Sequence, residues 1–332
     1  MANTEDLARA VGTGDRRALA RAITLVESTR AADRQAAELL LTHLLALAGS
    51  ALRIGISGAP GVGKSTFIEA LGAAITDAGL TLAVLAVDPS STRSGGSILG
   101  DKTRMEQLAR NPRAFVRPSP SGAMLGGVAR RTREAILLVE AAGFDIVLVE
   151  TVGVGQSDTA VSEMVDMFVL LVAPGGGDDL QGIKRGVMEL ADAVIVTKAD
   201  GDLKPAAARA ASDFQAALHV MRPKYPGITA GVTQVSALTG ENIAACWQDL
   251  QRFLHQLQAG GHREALRRGQ GLRWFRSEIQ ALLGEAIASD PAIARELAQL
   301  EEGVARGDAL PYTTARRLIS RFLSLDGREA PP

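Results

Sequence analysis

The segment Gly58-Ala59-Pro60-Gly61-Val62-Gly63-Lys64-Ser65 stands between a short apolar run, 53–57, and a helix-forming run, 66–77. No other feature limits the fold so strongly. The pattern G-x-x-x-x-G-K-[ST] works only as a turn from a strand into a helix. Its glycines let backbone N–H groups turn inward around a phosphate, and the helix N-terminus adds a favourable dipole. Lys64 can reach β- and γ-phosphates, and the Ser65 hydroxyl can ligate Mg²⁺. Residues 58–65, with Thr66 at the helix start, are therefore the expected phosphate-binding residues.

The rest of the chain agrees with a strand–helix alternation. Apolar runs at 52–57, 81–87, 114–117, 145–150, 167–172, 193–197 and 231–236 alternate with helix-like stretches. Such runs predict an α/β P-loop fold with a mostly parallel central sheet covered by helices on both faces. Glycine-bearing loops follow several of the strands, at 58–63, 94–100, 153–155 and 175–177. Ligands of open α/β sheets bind at the carboxyl ends of the strands, so these loops predict one shared site. Residues 1–50 read as a helical extension, with Asp15 as a helix cap and a second helix over about 33–48. The core domain is expected over 51–259. Helices over 262–287, 291–305 and 313–324 form a C-terminal helical region, 260–326, with Pro291 in a first turn and Pro311 in a connection. The tail is 327–332.

Charge and cysteine content exclude several classes. Among 332 residues, 36 Lys and Arg balance 37 Asp and Glu, for a net charge of −1. A nucleic-acid binder would carry a basic excess. No apolar run approaches the ~18 residues needed to span a bilayer. The single cysteine cannot form an internal disulfide, and the acidic start lacks a secretory leader. A cytoplasmic protein with no nucleic-acid or membrane partner is expected.

The run 193–197 ends in Thr197-Lys198-Ala199-Asp200. A carboxylate at Asp200 accepts from both N1–H and the exocyclic amine of guanine, a donor pair adenine lacks. The Lys198 stem can lie along the base. Ser236-Ala237-Leu238, after the run 231–235, resembles the loop whose backbone N–H meets guanine O6. Together they favour GTP over ATP.

The run 145–149 ends in Glu150-Thr151-Val152-Gly153. Ras-like GTPases read D-x-x-G here, followed by a Gln that orients water. Val154 cannot do so, and Gln156 is only a weak substitute, so slow intrinsic hydrolysis is expected. Other acids must arrange metal and water. Asp88 and Asp101 are the candidates beside Glu150 and Ser65. The catalytic set is then Lys64, Asp88, Asp101 and Glu150, although Asp88 could equally be a turn former and Asp101 a helix cap.

With these residues assembled, the chain resembles the metallochaperone-like GTPases of the SIMIBI class. It is most similar to the MeaB/ArgK family, GTPase chaperones of adenosylcobalamin-dependent methylmalonyl-CoA mutase. The matching pieces are GAPGVGKST (58–66), VDPSSTRSGGSILGDKTRM (87–105), ETVGVGQSD (150–158), PGGGDDLQGIKRGVMELAD (174–192), TKAD (197–200) and SALTG (236–240). Thr197 in place of Asn is the one looser point. The resemblance implies a first switch in the loop up to Asp101 and a second over 152–158, with Gly153 and Gln156. It implies a third over 175–186, with Asp178, Gln181 and Lys184 as its polar members. It also implies GTP hydrolysis to GDP and phosphate with Mg²⁺, slow alone and stimulated by the mutase. The protein would gate cofactor loading and protect or reactivate the mutase, with methylmalonyl-CoA mutase or a related acyl-CoA mutase as the partner. A homodimer through the C-terminal helices is implied too, although the seam of Leu272, Trp274, Phe275, Ile279, Leu282 and Leu283 would equally suit domain packing.

Three rivals remain at this level. A metal-insertion GTPase would need His-rich tracts or a Cys pair, whereas the 4 His are scattered and Cys246 is alone. A small-molecule kinase would need an acceptor pocket and a base, which Asp88 or Asp101 could supply. A nucleotide-gated interaction module would bind without useful turnover.

Overall fold

A computed structural model describes residues 4–28, 30–49, 51–87, 105–117, 125–151, 156–175 and 185–325. The chain opens with three helices, α1 (Thr4–Gly12), α2 (Arg16–Glu27) and α3 (Ala31–Leu44), the last ending in a 3₁₀ turn. There follow β1 (Leu52–Gly58), α4 (Lys64–Asp77), β2 (Leu82–Val87), α5 (Glu106–Arg110), β3 (Ala114–Arg117), α6 (Leu125–Ala141) and β4 (Ile146–Thr151). Then come α7 (Gln156–Ser162), β5 (Met167–Val172), α8 (Arg185–Leu190), β6 (Ala193–Val196), α9 (Lys204–Val220), β7 (Gly231–Gln234) and α10 (Ile243–Ala259). Three helices end the chain: α11 (His262–Ser289), α12 (Pro291–Ala305) and α13 (Pro311–Leu325).

Among the described residues the strands form one seven-stranded sheet in the order β3-β2-β4-β1-β5-β6-β7, and all its pairings are parallel. Central strands are buried on both faces: every residue of β4, β5 and β6 is buried. That explains their continuous apolar runs, since alternation would place polar groups against a covering helix. One face packs Ile54, Ile56, Leu148 and Val169 against Phe67, Ile68 and Leu71 of α4 and Trp247 and Leu254 of α10. The other packs Leu170, Val172, Val194 and Val196 against Phe214 of α9. β1 lies at the point where the strand order reverses, with β4 on one side and β5 on the other.

Asp15 caps α2, accepting from the N–H groups of Arg17 (2.8 Å) and Ala18 (2.9 Å), and those bonds hold its carboxyl below the usual carboxylate range. The N-terminal helices pack on α6. Arg16 also donates to the carbonyls of Pro112 and Ala114, at 2.6 and 2.7 Å, and Arg117 pairs with Glu27, so α2 is bound to the edge strand β3.

A buried polar network closes the amino end of the strands. Arg53 pairs with Glu140 at 2.6 and 2.7 Å, and Glu140 also accepts from Gly49 N–H at 2.8 Å. Arg267 of α11 pairs with Asp166 at 2.6 Å and donates to the carbonyls of Gly49 and Ala51, both 2.6 Å. Burial opposes the Arg267 charge, but Asp166 and Glu140 outweigh it and hold the guanidinium above its ordinary pKa. Buried charges persist only with partners of this kind.

The chain divides into two compact units, Met1–Arg267 and Arg268–Pro332. In the second, α12 packs on α13, and Arg321 pairs with Glu296 at 3.0 Å. Asp290 caps α12 through Ala292 and Ile293 N–H groups, at 2.8 and 3.1 Å, with Pro291 in the first turn as expected. Pro311 departs from expectation: it begins α13 and is not in a connection. Its fixed φ and missing N–H suit a first helical position. Among the described residues no helix is long and apolar enough to cross a membrane.

Candidate functional site at the carboxyl edge of the sheet

The loop 59–63 joins β1 to α4. Gly58 is required by a close approach: a Cβ there would lie 2.5 Å from the Leu171 carbonyl oxygen of β5. Gly61 and Gly63 take φ of 81° and 96°, the left-handed region that glycine enters without strain. Lys64 folds back over the loop, its Nζ donating to the carbonyls of Gly58 (2.7 Å) and Ala59 (3.2 Å). Burial lowers its pKa, while the charges of Glu150 and Asp158 act in the opposite sense. A cation is thus placed at the loop mouth, where anionic phosphate oxygens could replace those carbonyls. Pro60 and Ala59 are exposed, Val62 is buried in the core, and Thr66 is exposed in the first turn of α4.

Glu150, near the end of β4, is buried and accepts from the Ser65 hydroxyl at 3.3 Å. Two hard oxygen donors therefore meet beside the loop. Among the described residues no group of three or more His, Cys, Asp or Glu is placed to hold a metal. Mg²⁺ does not demand one, because it takes one or two protein oxygens together with phosphate and water. The donor set fits that ion, with Ser65 and Glu150 as the protein groups.

The second corner lies at the ends of β6 and β7. Thr197 Oγ1 donates within reach of two carbonyls, Val62 at 2.7 Å and Val172 at 3.1 Å. It ties the phosphate loop to β5. Lys198 has φ 54°, and its Nζ donates to Gly61 O at 2.7 Å, which lays its stem across the loop. Asp200 accepts from the Ser236 hydroxyl, and Ser236 Oγ accepts from Thr239 N–H at 3.1 Å. The Asp200 carboxylate is half-buried, Ser236 is fully buried, and Leu238 is exposed. A carboxylate held at one oxygen can present its edge to a planar donor pair.

Sequence reasoning placed these two corners on one sheet edge, and the fold brings them together. Asp88, Asp101, Gly153, Asp178, Gln181 and Lys184 lie outside the described residues, and Gln156 heads α7 with its side chain likewise outside them. Sequence reasoning missed a third cluster. Ser57 Oγ donates to Asp158 Oδ1 at 2.5 Å, and Thr151 Oγ1 lies 2.9 Å from that oxygen and 3.0 Å from Ser57 Oγ. The available signal was a polar residue closing each apolar run.

The comparisons with known proteins agree with this geometry. Residues 19–292 match the family model described as methylmalonyl-CoA mutase-associated GTPase MeaB. GTPase ArgK of Escherichia coli is 44% identical over 315 residues, covering 95% of each chain. The mitochondrial methylmalonic aciduria type A homolog of Mus musculus is 47% identical over 321 residues, covering 94% of this chain and 77% of that one. A crystal structure of an LAO/AO transport system kinase superposes with a TM-score of 0.77 at 37% identity, covering 97% of this chain and 98% of that one. A P-loop at the carboxyl edge of a parallel sheet and a family match over most of the chain lead to one conclusion: the protein belongs to the MeaB family and is a GTPase.

Proposed function

We propose that this GTPase is a chaperone of adenosylcobalamin-dependent methylmalonyl-CoA mutase. It binds the mutase, uses GTP binding and hydrolysis to gate loading of the cofactor, and protects or reactivates the enzyme. The mutase association comes from the family description. The observation that carries the nucleotide part is the pairing of the Lys64 loop with the Asp200–Ser236 corner on one sheet edge.

Within that reading, the backbone N–H groups of residues 58–66, Pro60 excepted, and the Lys64 ammonium hold the phosphates, and Ser65 and Glu150 would hold Mg²⁺. Asp200, Lys198 and the Ser236–Leu238 loop read guanine. Water attacks the γ-phosphorus, the bond to the β,γ-bridging oxygen breaks, and GDP and phosphate leave. Asp88 and Asp101 are assigned to metal and water by their places at the strand ends. Gly153, Gln156, Asp178, Gln181 and Lys184 are assigned to the switches by the family-like segments. Lys64 is placed to meet charge developing on the leaving oxygens, and a Mg²⁺ held by Ser65 and Glu150 would supply further charge there, where positioned electrostatics accelerate phosphoryl transfer.

A homodimer through the C-terminal helices belongs to the same proposal. Its support is the exposure of Leu272, Phe275, Ile279 and Leu282 on α11, at 60, 64, 42 and 53%. Their spacing of three or four residues puts them along one side of that helix.

The gating claim is tested by loading adenosylcobalamin into apo-mutase with GTP, GDP or a non-hydrolysable GTP analogue present. Active mutase should form at a rate that depends on the nucleotide only when the chaperone is present. Equal loading in every nucleotide state rejects the gating role.

A further inference from the structure

Ser57, Thr151 and Asp158 belong to three elements and meet behind the phosphate loop. Ser57 immediately precedes Gly58 on β1, Thr151 immediately follows Glu150 on β4, and Asp158 lies in the first turn of α7. Their exposures are 1, 1 and 3%. The parallel register that pairs Ile56 with Glu150 sets the two strand ends side by side. Both hydroxyls lie within hydrogen-bond distance of one carboxylate oxygen, Asp158 Oδ1, at 2.5 and 2.9 Å.

An ionised carboxylate only accepts, so Ser57 donates to it. Thr151 has one proton, which goes either to Asp158 or to Ser57 Oγ at 3.0 Å. Bonds to a charged acceptor are shorter and stronger than neutral ones. Burying a carboxylate is costly unless such bonds meet it, and two hydroxyls could pair with each other without it. The charge therefore has a use beyond filling space. It fastens α7 to the residue before the phosphate loop and to the residue after Glu150.

We propose that Asp158 is a positioning residue for GTP hydrolysis, fixing the phosphate loop and Glu150 relative to each other and to the first turn of α7. The proposal rests on the reading of those two groups as the phosphate and Mg²⁺ site. Displacing reacting groups by about 1 Å costs on the order of a hundredfold in rate. A fastening that spans both strand ends therefore acts on turnover. Asp158 lies 3% exposed behind the loop, so its effect is expected on turnover more than on affinity.

The test measures kcat and KM for GTP and the Kd for GDP in wild type, Asp158→Asn, Thr151→Val, Thr151→Ser and the Asp158→Asn/Thr151→Val double variant. Exchanging a charged for a neutral acceptor should lower kcat by about tenfold, with the GDP Kd changed by less than about twofold. Thr151→Val, nearly the same shape without the hydroxyl, should lower kcat similarly, and Thr151→Ser should recover most of it. The double variant should be little worse than the worse single one, because the residues act as a unit. Unchanged kcat in both Asp158→Asn and Thr151→Val overturns the proposal. So does a loss of kcat matched by a loss of GDP affinity, or failure of Thr151→Ser to recover. If Asp158→Asn does not fold, the Thr151 pair decides. Lys64→Ala, run in parallel, should have no measurable turnover; if it stays active, the phosphate-loop reading fails instead.

Discussion

At the scale of single residues, the proposed base recognition centres on Asp200. Its carboxylate takes the Ser236 hydroxyl at one oxygen, and guanine presents two donors to what remains. Asp200→Asn keeps the shape but replaces one acceptor by a donor, which suits the second carbonyl of xanthine. Loss of a charged hydrogen-bond pair costs about 1.5–3 kcal/mol, or roughly ten- to a hundredfold in affinity. Titration with GTP, XTP and ATP should show GTP binding weakened by that factor, XTP improved and ATP unaffected. Equal weakening of GTP and ATP would remove Asp200 from base recognition. The placement of Asp200 after β6 was legible in the sequence because T-K-x-D closes an apolar run at a fixed spacing. The Ser57–Thr151–Asp158 cluster was not. Ser57 and Thr151 are 94 positions apart, and only the parallel pairing of β1 with β4 joins them. Thr197 was legible as a departure from Asn, but its bonds to Val62 and Val172 carbonyls needed the fold.

At the scale of elements, the strands were legible because burial on both faces leaves unbroken apolar runs. Those expected at 114–117 and 167–172 have the observed bounds. Helix starts were less so. α4 begins at Lys64, inside the phosphate motif, and α13 begins at Pro311. Pro311 looks like a turn former but also fits a first helical turn. α11 carries the apolar series Leu272, Phe275, Ile279 and Leu282. If a second copy covers it, Phe275→Asp with Leu282→Asp should convert a dimer to a monomer in sedimentation. Each of those side chains contributes about 1.5–3 kcal/mol when buried, so the dimer Kd should rise by more than about a hundredfold. A wild-type protein that sediments as a monomer at micromolar concentration would refute the dimer.

At the scale of the molecule, β1 and β5 serve both edges of the sheet. At the carboxyl edge Gly58 lies against Leu171. At the amino edge Asp166, just before β5, accepts from Arg53 N–H at 2.9 Å and pairs with Arg267 of α11. The nucleotide loop and Arg267, near the start of α11, are thus mounted on the same two strands. Composition and charge carried expectations about partner classes, but nothing in the residue pattern revealed this shared mounting. It is built from Gly49, Arg53, Glu140, Asp166 and Arg267, five residues dispersed over the chain. Under the proposed function the mutase controls GTP hydrolysis. That control is tested most directly by steady-state phosphate release from GTP at rising concentrations of purified methylmalonyl-CoA mutase. A chaperone of this enzyme should turn over slowly alone and rise to saturation by about five- to a hundredfold, with ATP unable to replace GTP. A rate that stays at its basal value at every mutase concentration would contradict that function.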